Sequence, residues 1–367
     1  MASRDGVGHT PPMPAARLEL RILSELGDLA VEWDALAAAQ PLPSPFLRSW
    51  WIDHVAAGEL VLPCWFDGPR LVGGAAFERD RPGRGRLSIE RLRNVGQGVL
   101  APDHLDVIAT EEHRDRVAAE LVEWLQRPGS RIVDLDGLAA GGRLASAFAG
   151  HELERVGAPY ATLPDDPAAY LAARPGKVRS TISRTAKRFA REGVVHRRVE
   201  PDDAPRALDE LARLHEGRWA EESSFLEAWG RFRAAALAGV RAGEVRLHEM
   251  VTAEGHVVAT ELDLVVGART CFYQAGRSTD REWRGGGSVL RAEIIAEAIE
   301  AGHGEYDLLR GDEPYKADWS EGRREVVRCR VGVGPSGRAV LAAVALRGRI
   351  SRAASRSGPA PRPEPAG

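Results

Sequence analysis

Only three cysteines, Cys64, Cys271 and Cys329, occur in 367 residues; they lie far apart, and no two form a Cys-x-x-Cys pair. This excludes a paired-cysteine zinc site or redox motif and predicts reduced, buried thiols. Long hydrophobic runs are missing too. No stretch approaches the roughly eighteen uninterrupted apolar residues of a spanning helix, and MASRDGVGHTPPMPAA has no apolar signal-peptide core. Membrane insertion is therefore not expected, and the reading places the chain in the cytoplasm. There is no surplus of one charge: the formal net charge is −3, which argues against DNA as a partner.

What is present reads as a soluble globular chain, with 44% hydrophobic and 28% charged residues. Its length exceeds what one hydrophobic core usually supports, so two domains are expected. Pro-, Gly- and Ala-rich ends, residues 1–15 and the final SRSGPAPRPEPAG, read as disordered. A first unit, residues 16–160, carries strand-like runs at Glu59–Phe66, Arg70–Phe77 and Leu87–Asn94, which predict an antiparallel meander. A helix at Glu111–Gln126 and a strand at Arg131–Leu135 follow.

The same plan recurs in residues 161–335. A mostly helical connector (166–240) precedes strands at Glu244–Thr252, His256–Val266 and Thr270–Gly276, a helix at Gly287–Ala301 and a strand at Glu305–Leu309. The repeat predicts two similar α+β units, each a mixed, mostly antiparallel sheet flanked by helices. Residues 336–367 read as a largely disordered extension.

Chemistry concentrates in Tyr273–Trp319. Gly285-Gly286-Gly287-Ser288 opens a helix, where unpaired backbone N–H groups and the positive dipole end suit an anion, and Arg281 and Arg284 would add charge-assisted contacts. A flexible connection is the alternative reading. After the second strand, Arg310, Asp312, Glu313, Tyr315, Lys316 and Trp319 crowd a turn around Gly311 and Pro314, either a mounted site or a salt-bridged surface turn. On His256–Val266, Glu261 and Asp263 share one face, which either lines a cleft or meets solvent. His215 and Asp106 are further candidates for shaping a substrate pocket. The basic helix carrying Lys177, Arg179, Arg184, Lys187, Arg188 and Arg191 reads as a solvated face or as a phosphate or tRNA contact.

The order Lys177-x-Arg179…Arg184…Arg188, Leu214-His215…Arg218-Trp219, then Gly302…Tyr306-Asp307…Arg310-Gly311-Asp312-Glu313…Tyr315-Lys316…Trp319 resembles the CelD/BcsL family of GNAT acyltransferases across about residues 16–335. The resemblance implies tandem GNAT-like domains akin to the Fem peptidyltransferases. It also implies acetyl-CoA or another acyl-CoA as co-substrate of the second unit, no metal, and acyl transfer to an amine or hydroxyl of a small molecule or saccharide, linked to polysaccharide or envelope biosynthesis. Arg284 and Gly287 fit the family's pyrophosphate loop, whereas its closing Gly or Ala is Val289 here. The resemblance carries over Arg284 to Ser288 as the pyrophosphate loop and Tyr315 and Lys316 as the family's Tyr-Lys; together with the reading of the residues themselves, the site candidates are Arg281, Arg284, Gly285, Gly286, Gly287 and Ser288 for the donor, Glu261, Asp312, Tyr315 and Lys316 for catalysis, and Tyr273, Arg310, Trp319, His215 and Asp106 for substrate binding. A transferase using aminoacyl-tRNA, with tRNA not the expected partner, and a catalytically silent scaffold are the alternatives.

Overall fold

The computed structural model describes residues 17–82, 88–219 and 224–356. Residues 1–15, expected to be disordered, lie outside them, as do residues 357–367 of the final SRSGPAPRPEPAG, Leu87 at the start of the run read as Leu87–Asn94, and the side chains of Arg218 and Trp219.

Among the described residues, fourteen strands form one sheet. The first unit supplies β1 (Glu19–Leu23), β2 (Glu59–Asp67), β3 (Arg70–Gly74), β4 (Phe77–Asp80), β5 (Glu90–Asn94), β6 (Ile108–Ala109), β7 (Arg131–Ala139) and β8 (Glu152–Thr162). The second supplies β9 (Val195–Arg198), β10 (Val245–Val251), β11 (Val257–Val266), β12 (Arg269–Arg277), β13 (Glu305–Asp307) and β14 (Gly322–Val333). Helices α1 (Ala30–Ala38), α2 (Ser49–Val55), α3 (Arg114–Gln126) and α4 (Arg143–Ala147) belong to the first half. Then come α5 (Pro167–Ala172), α6 (Gly176–Arg191), α7 (Ala204–Trp219), α8 (Trp229–Arg241), α9 (Gly286–Glu300) and α10 (Gly334–Arg356).

The expected meander is present as β2–β4–β5, antiparallel throughout, although the run read as one strand, Arg70–Phe77, breaks at Ala75–Ala76 into β3 and β4. In each unit an antiparallel pair leads through a helix to a parallel strand: β5 and β7 flank α3, and β12 and β13 flank α9.

Between these halves the two last strands trade places, in the order β7-β14-β8-β13. The first unit's final strand, β8, pairs with β13 of the second, while β14 pairs with β7 of the first; β8 and β14 also pair with each other. Along β14, Val327, Cys329, Val331 and Val333 alternate with polar positions, whereas β8 opens on charges. Their charges form ladders: Arg155 with Glu152 and Glu325, Arg324 with Glu305, and Arg328 and Arg330 with Asp134.

The connector helices do more than open the second unit. Helix α8 packs on α2, Trp50 Nε1 and Arg48 both donate to Glu244, and Arg231 donates to the Val55 carbonyl. One large core consequently spans α1, α2, α7, α8 and the sheet, and a second lies under α5, α6 and α9. The stretch read as a largely disordered extension, from residue 336, is helical to Arg356. Pro335 in its first turn and a run of alanines favour the helix, which leans on β14 while Val344 and Leu346 stay exposed.

Candidate functional site

Strands β12 and β13 pair only over Arg269–Cys271 and Glu305–Asp307. Beyond that point β12 runs on to Arg277 along β11, with a bulge at Tyr273, while the other chain turns away. The turn is sharp: Leu309 adopts φ 55°, Leu309 N–H donates to Asp307 Oδ1 at 2.8 Å, and Gly311 N–H donates to Gly157 O at 2.9 Å. A left-handed leucine is strained, and it is held from all sides. The splayed strands open a cavity of about 650 Å³, walled by Phe272–Arg277, Leu308–Arg310, the start of α9 and the loop after β5.

The loop after β5 is the first unit's contribution. It carries two further non-glycine residues at positive φ, Ala101 and His104. Arg310 clamps it: the guanidinium donates to Asp103, to Asp136 Oδ1 at 3.0 Å and to Pro102 O at 2.6 Å, and the Arg310 N–H donates to Asp103 Oδ2 at 2.6 Å. His104 Nε2 meets the buried Asp307 at 2.9 Å. Tyr273 Oη donates to Leu100 O at 2.8 Å, and its ring packs among Phe46, Trp51, Phe225 and Phe232. Arg310 and Tyr273 thus line the cavity and at the same time fasten its two halves together.

On the cavity floor sits Arg291, buried within α9. It holds Glu261 bidentately at 2.9 and 3.3 Å, and its guanidinium lies over the rings of Phe272, Tyr315 and Trp319 at 4.1, 5.3 and 5.8 Å. Glu261 also accepts from Tyr306 Oη at 2.6 Å. The Glu261/Asp263 face of β11 is therefore not solvated; both carboxylates are covered, and only Glu261 reaches the cavity. Burial, reinforced by the neighbouring Glu261, pushes the Asp263 carboxyl well above its ordinary value.

Lys316 is buried beside the strained turn, its Nζ donating to Arg310 O at 2.6 Å and pairing with Glu313 at 3.0 Å. Desolvation lowers its pKa, against the pull of Glu313.

The glycines at the α9 start divide their tasks. Gly285 has φ 91°, and a Cβ there would lie 2.6 Å from Thr185 Oγ1; a Cβ on Gly286 would meet Phe189 at 3.3 Å. These two let α6 pack closely. A Cβ on Gly287 would meet only Arg277 Cδ, at 4.0 Å, and Gly287 and Ser288 line the cavity.

Of the residues singled out in the sequence, the cavity gathers Tyr273, Glu261, Gly287, Ser288, Arg310, Glu313, Tyr315, Lys316, Trp319, His215 and Lys177. Arg281, Arg284, Gly285, Gly286, Asp312 and Asp106 are not among its lining residues. Arg281 and Arg284 are exposed outside its wall, and the Arg284 carbonyl accepts from Arg188 at 2.9 Å. Asp312 pairs with Arg323 at 2.6 Å on the surface. Asp106 accepts from the N–H groups of Arg143 and Leu144 at 2.7 and 3.0 Å, capping α4 beside a second cavity. Arg291 and Arg277 were not singled out. Arg277 is exposed at the cavity rim and has no ion pair among the described residues; Lys177, across the mouth, pairs with Asp318 at 3.0 Å.

Comparison with known proteins yields a consistent fold. Residues 176–317 match the family described as Acetyltransferase (GNAT) domain. The crystal structure of FemX superposes with a TM-score of 0.59 at 9% identity, covering 81% of this chain and 95% of that one. A conserved protein of unknown function from Bacteroides thetaiotaomicron gives 0.54 at 11% identity, covering 82% and 97%. The C-terminal domain of a putative lysylphosphatidylglycerol synthetase from Agrobacterium fabrum gives 0.51 at 14% identity, covering 87% and 97%. No curated protein matches the sequence. The fold is α+β, a large mixed sheet flanked by helices, whose second half matches the acetyltransferase domain and whose first half repeats its strand–helix–parallel-strand plan.

Proposed function

We propose that the chain is an acyl-CoA-dependent acyltransferase whose donor lies in the splay between β12 and the Leu308–Arg310 turn. One observation carries this reading: within the segment matched by the acetyltransferase domain, two parallel strands part to open a cavity at the N-terminus of a fifteen-residue helix. Helix N-terminal N–H groups favour a pyrophosphate, Gly287 leaves it room, and Ser288, Arg277 and Lys177 supply further donors. Backbone N–H groups of the free β12 edge would polarise the thioester carbonyl. An amine or hydroxyl of the acceptor attacks that carbon, the C–S bond breaks, and the sulfur leaves as CoA thiolate, while the acceptor's proton passes to the protein.

Glu261 is a poor recipient of that proton, because accepting it would break a buried pair with Arg291. His215, also in the wall, offers an imidazole nitrogen instead, and Tyr315 a hydroxyl that can hydrogen-bond the acceptor. The affiliation with the CelD/BcsL family, and with it a saccharide or small-molecule acceptor in the cytoplasm, rests on the sequence motifs. Calorimetry with acetyl-CoA tests the donor assignment: stoichiometric binding at micromolar to submillimolar concentration is expected, and no heat at millimolar ligand overturns it.

A second reading, transfer of an aminoacyl group from tRNA, is favoured by α6. Lys177 and Thr181 reach the cavity wall, and Arg184, Lys187 and Arg191 continue outward along an exposed face. Replacing Arg184, Lys187 and Arg188 by alanine should leave acetyl-CoA binding intact; loss of tRNA binding on that change would favour the second reading.

A further inference from the structure

Away from the cavity lining, where the edge strand β9 meets β10 and α9, three side chains of metal-ligating type meet that the acyl-transfer reading does not use. His196 on β9, His248 on β10 and Glu297 on α9 each offer one ligand atom, and the three atoms lie within 4.8 Å of one another. His196 Nε2 and His248 Nδ1 are 3.1 Å apart, and His248 Nδ1 is 3.7 Å from Glu297 Oε2. Tetrahedral zinc with bonds of about 2.0–2.1 Å separates its ligand atoms by roughly 3.3 Å, so little movement is needed to place a cation among them.

We propose that His196, His248 and Glu297 form a binding site for a zinc-class divalent cation, which clasps the sheet's edge strand to α9. The site is built rather than incidental. Arg198 donates to Glu297 Oε1 at 3.0 Å, which leaves Oε2 turned toward the imidazoles, the orienting role that outer contacts play in metal centres. His248 is buried, and the two rings stack with centroids 5.4 Å apart, so both nitrogens are held in place. Charges around the cluster are mixed: Glu293 favours a cation, and Arg198 and Arg246 oppose it. Three protein ligands leave a fourth position for water.

The test uses the full chain after dialysis against a chelator. Zinc should raise the melting temperature by about 5 °C at a hundredfold excess over Kd, and cobalt should bind one per chain with visible d–d absorption. His196→Ala and Glu297→Gln, each at a partly exposed position, should weaken cobalt binding at least about tenfold. On the zinc-loaded wild-type chain, X-ray absorption should show imidazole nitrogen and oxygen at about 2.0–2.2 Å. Absence of one-to-one binding at 1 mM cation, binding unaltered in both variants, or a shell without imidazole overturns the proposal and leaves a hydrogen-bonded histidine pair.

Discussion

Arg291 organises the cavity floor through a single guanidinium that is at once paired with a carboxylate and enclosed by three rings. Replacing it by methionine strands Glu261 in a buried place, so Arg291→Met should cost about 3–5 kcal/mol in urea unfolding, and adding Glu261→Gln should recover much of that loss. A double variant no more stable than Arg291→Met would mean the ion pair is not the source. The sequence shows Glu261 plainly, because an acid in a strand of valines and leucines is conspicuous. It hides Arg291, since an arginine in a helix otherwise passes for surface. The one clue is spacing: Arg291 shares a face with Ile294, Ile295 and Ala298.

Asp307 makes a related point about acid. Burial alone would raise its pKa, but His104 and Arg269 overcome this and hold the carboxyl well below its ordinary value. A depressed folded-state pKa means that the stabilisation is complete above the unfolded value near 4 and is lost as pH falls from there toward the folded value. Asp307→Asn should therefore be less stable than wild type at pH 7 by about 3 kcal/mol. The gap should narrow by about 1 kcal/mol between pH 5 and pH 3. Urea denaturation across that range checks it; a constant gap would remove Asp307 from the acid response.

At the scale of elements, α9 shows why three identical letters do different work. In the sequence Gly285, Gly286 and Gly287 are equivalent, and only their neighbours separate them: Thr185 and Phe189 against the first two, open cavity beside the third. Gly287→Glu should abolish acetyl-CoA binding with little change in melting temperature, because bulk and negative charge enter the phosphate position. Gly286→Leu, pressed against Phe189, should lower the melting temperature instead. Calorimetry and thermal melts on the two variants separate the roles, and retained affinity in Gly287→Glu would refute the donor position. Strands with apolar faces, such as β10 to β12, were legible from alternation. β8 and β14 escape that reading: ELERVGAPYAT opens on charges, and in GRREVVRCRVGV the alternation of Val327, Cys329, Val331 and Val333 with Arg328 and Arg330 is confined to the second half of the strand.

For the molecule as a whole, the repeat of two units was readable from the recurrence of strand, helix and strand, whereas their interlocking was not. No local signal tells a strand that its partner belongs to the other half. Arg310 and Asp103 add a polar fastening across the same junction. Residues 1–163 and 164–367 produced separately should each fail to give a cooperative melt, since each lacks a strand its sheet requires; produced together they should reassociate. Two halves that melt cooperatively on their own would contradict the exchanged topology.

The exchange also fixes an order of events on the ribosome. Ala139 at the end of β7 pairs with Val326, made roughly 190 residues later, a delay of about 10–40 s at ordinary rates of synthesis. During that interval the nascent first half carries an open strand edge, β7, that nothing yet synthesised is built to cover. Folding of this chain is therefore tied to completion of translation, and slowing or truncating translation after residue 162 should direct it to chaperones or aggregation in a way that the same perturbation past residue 333 should not.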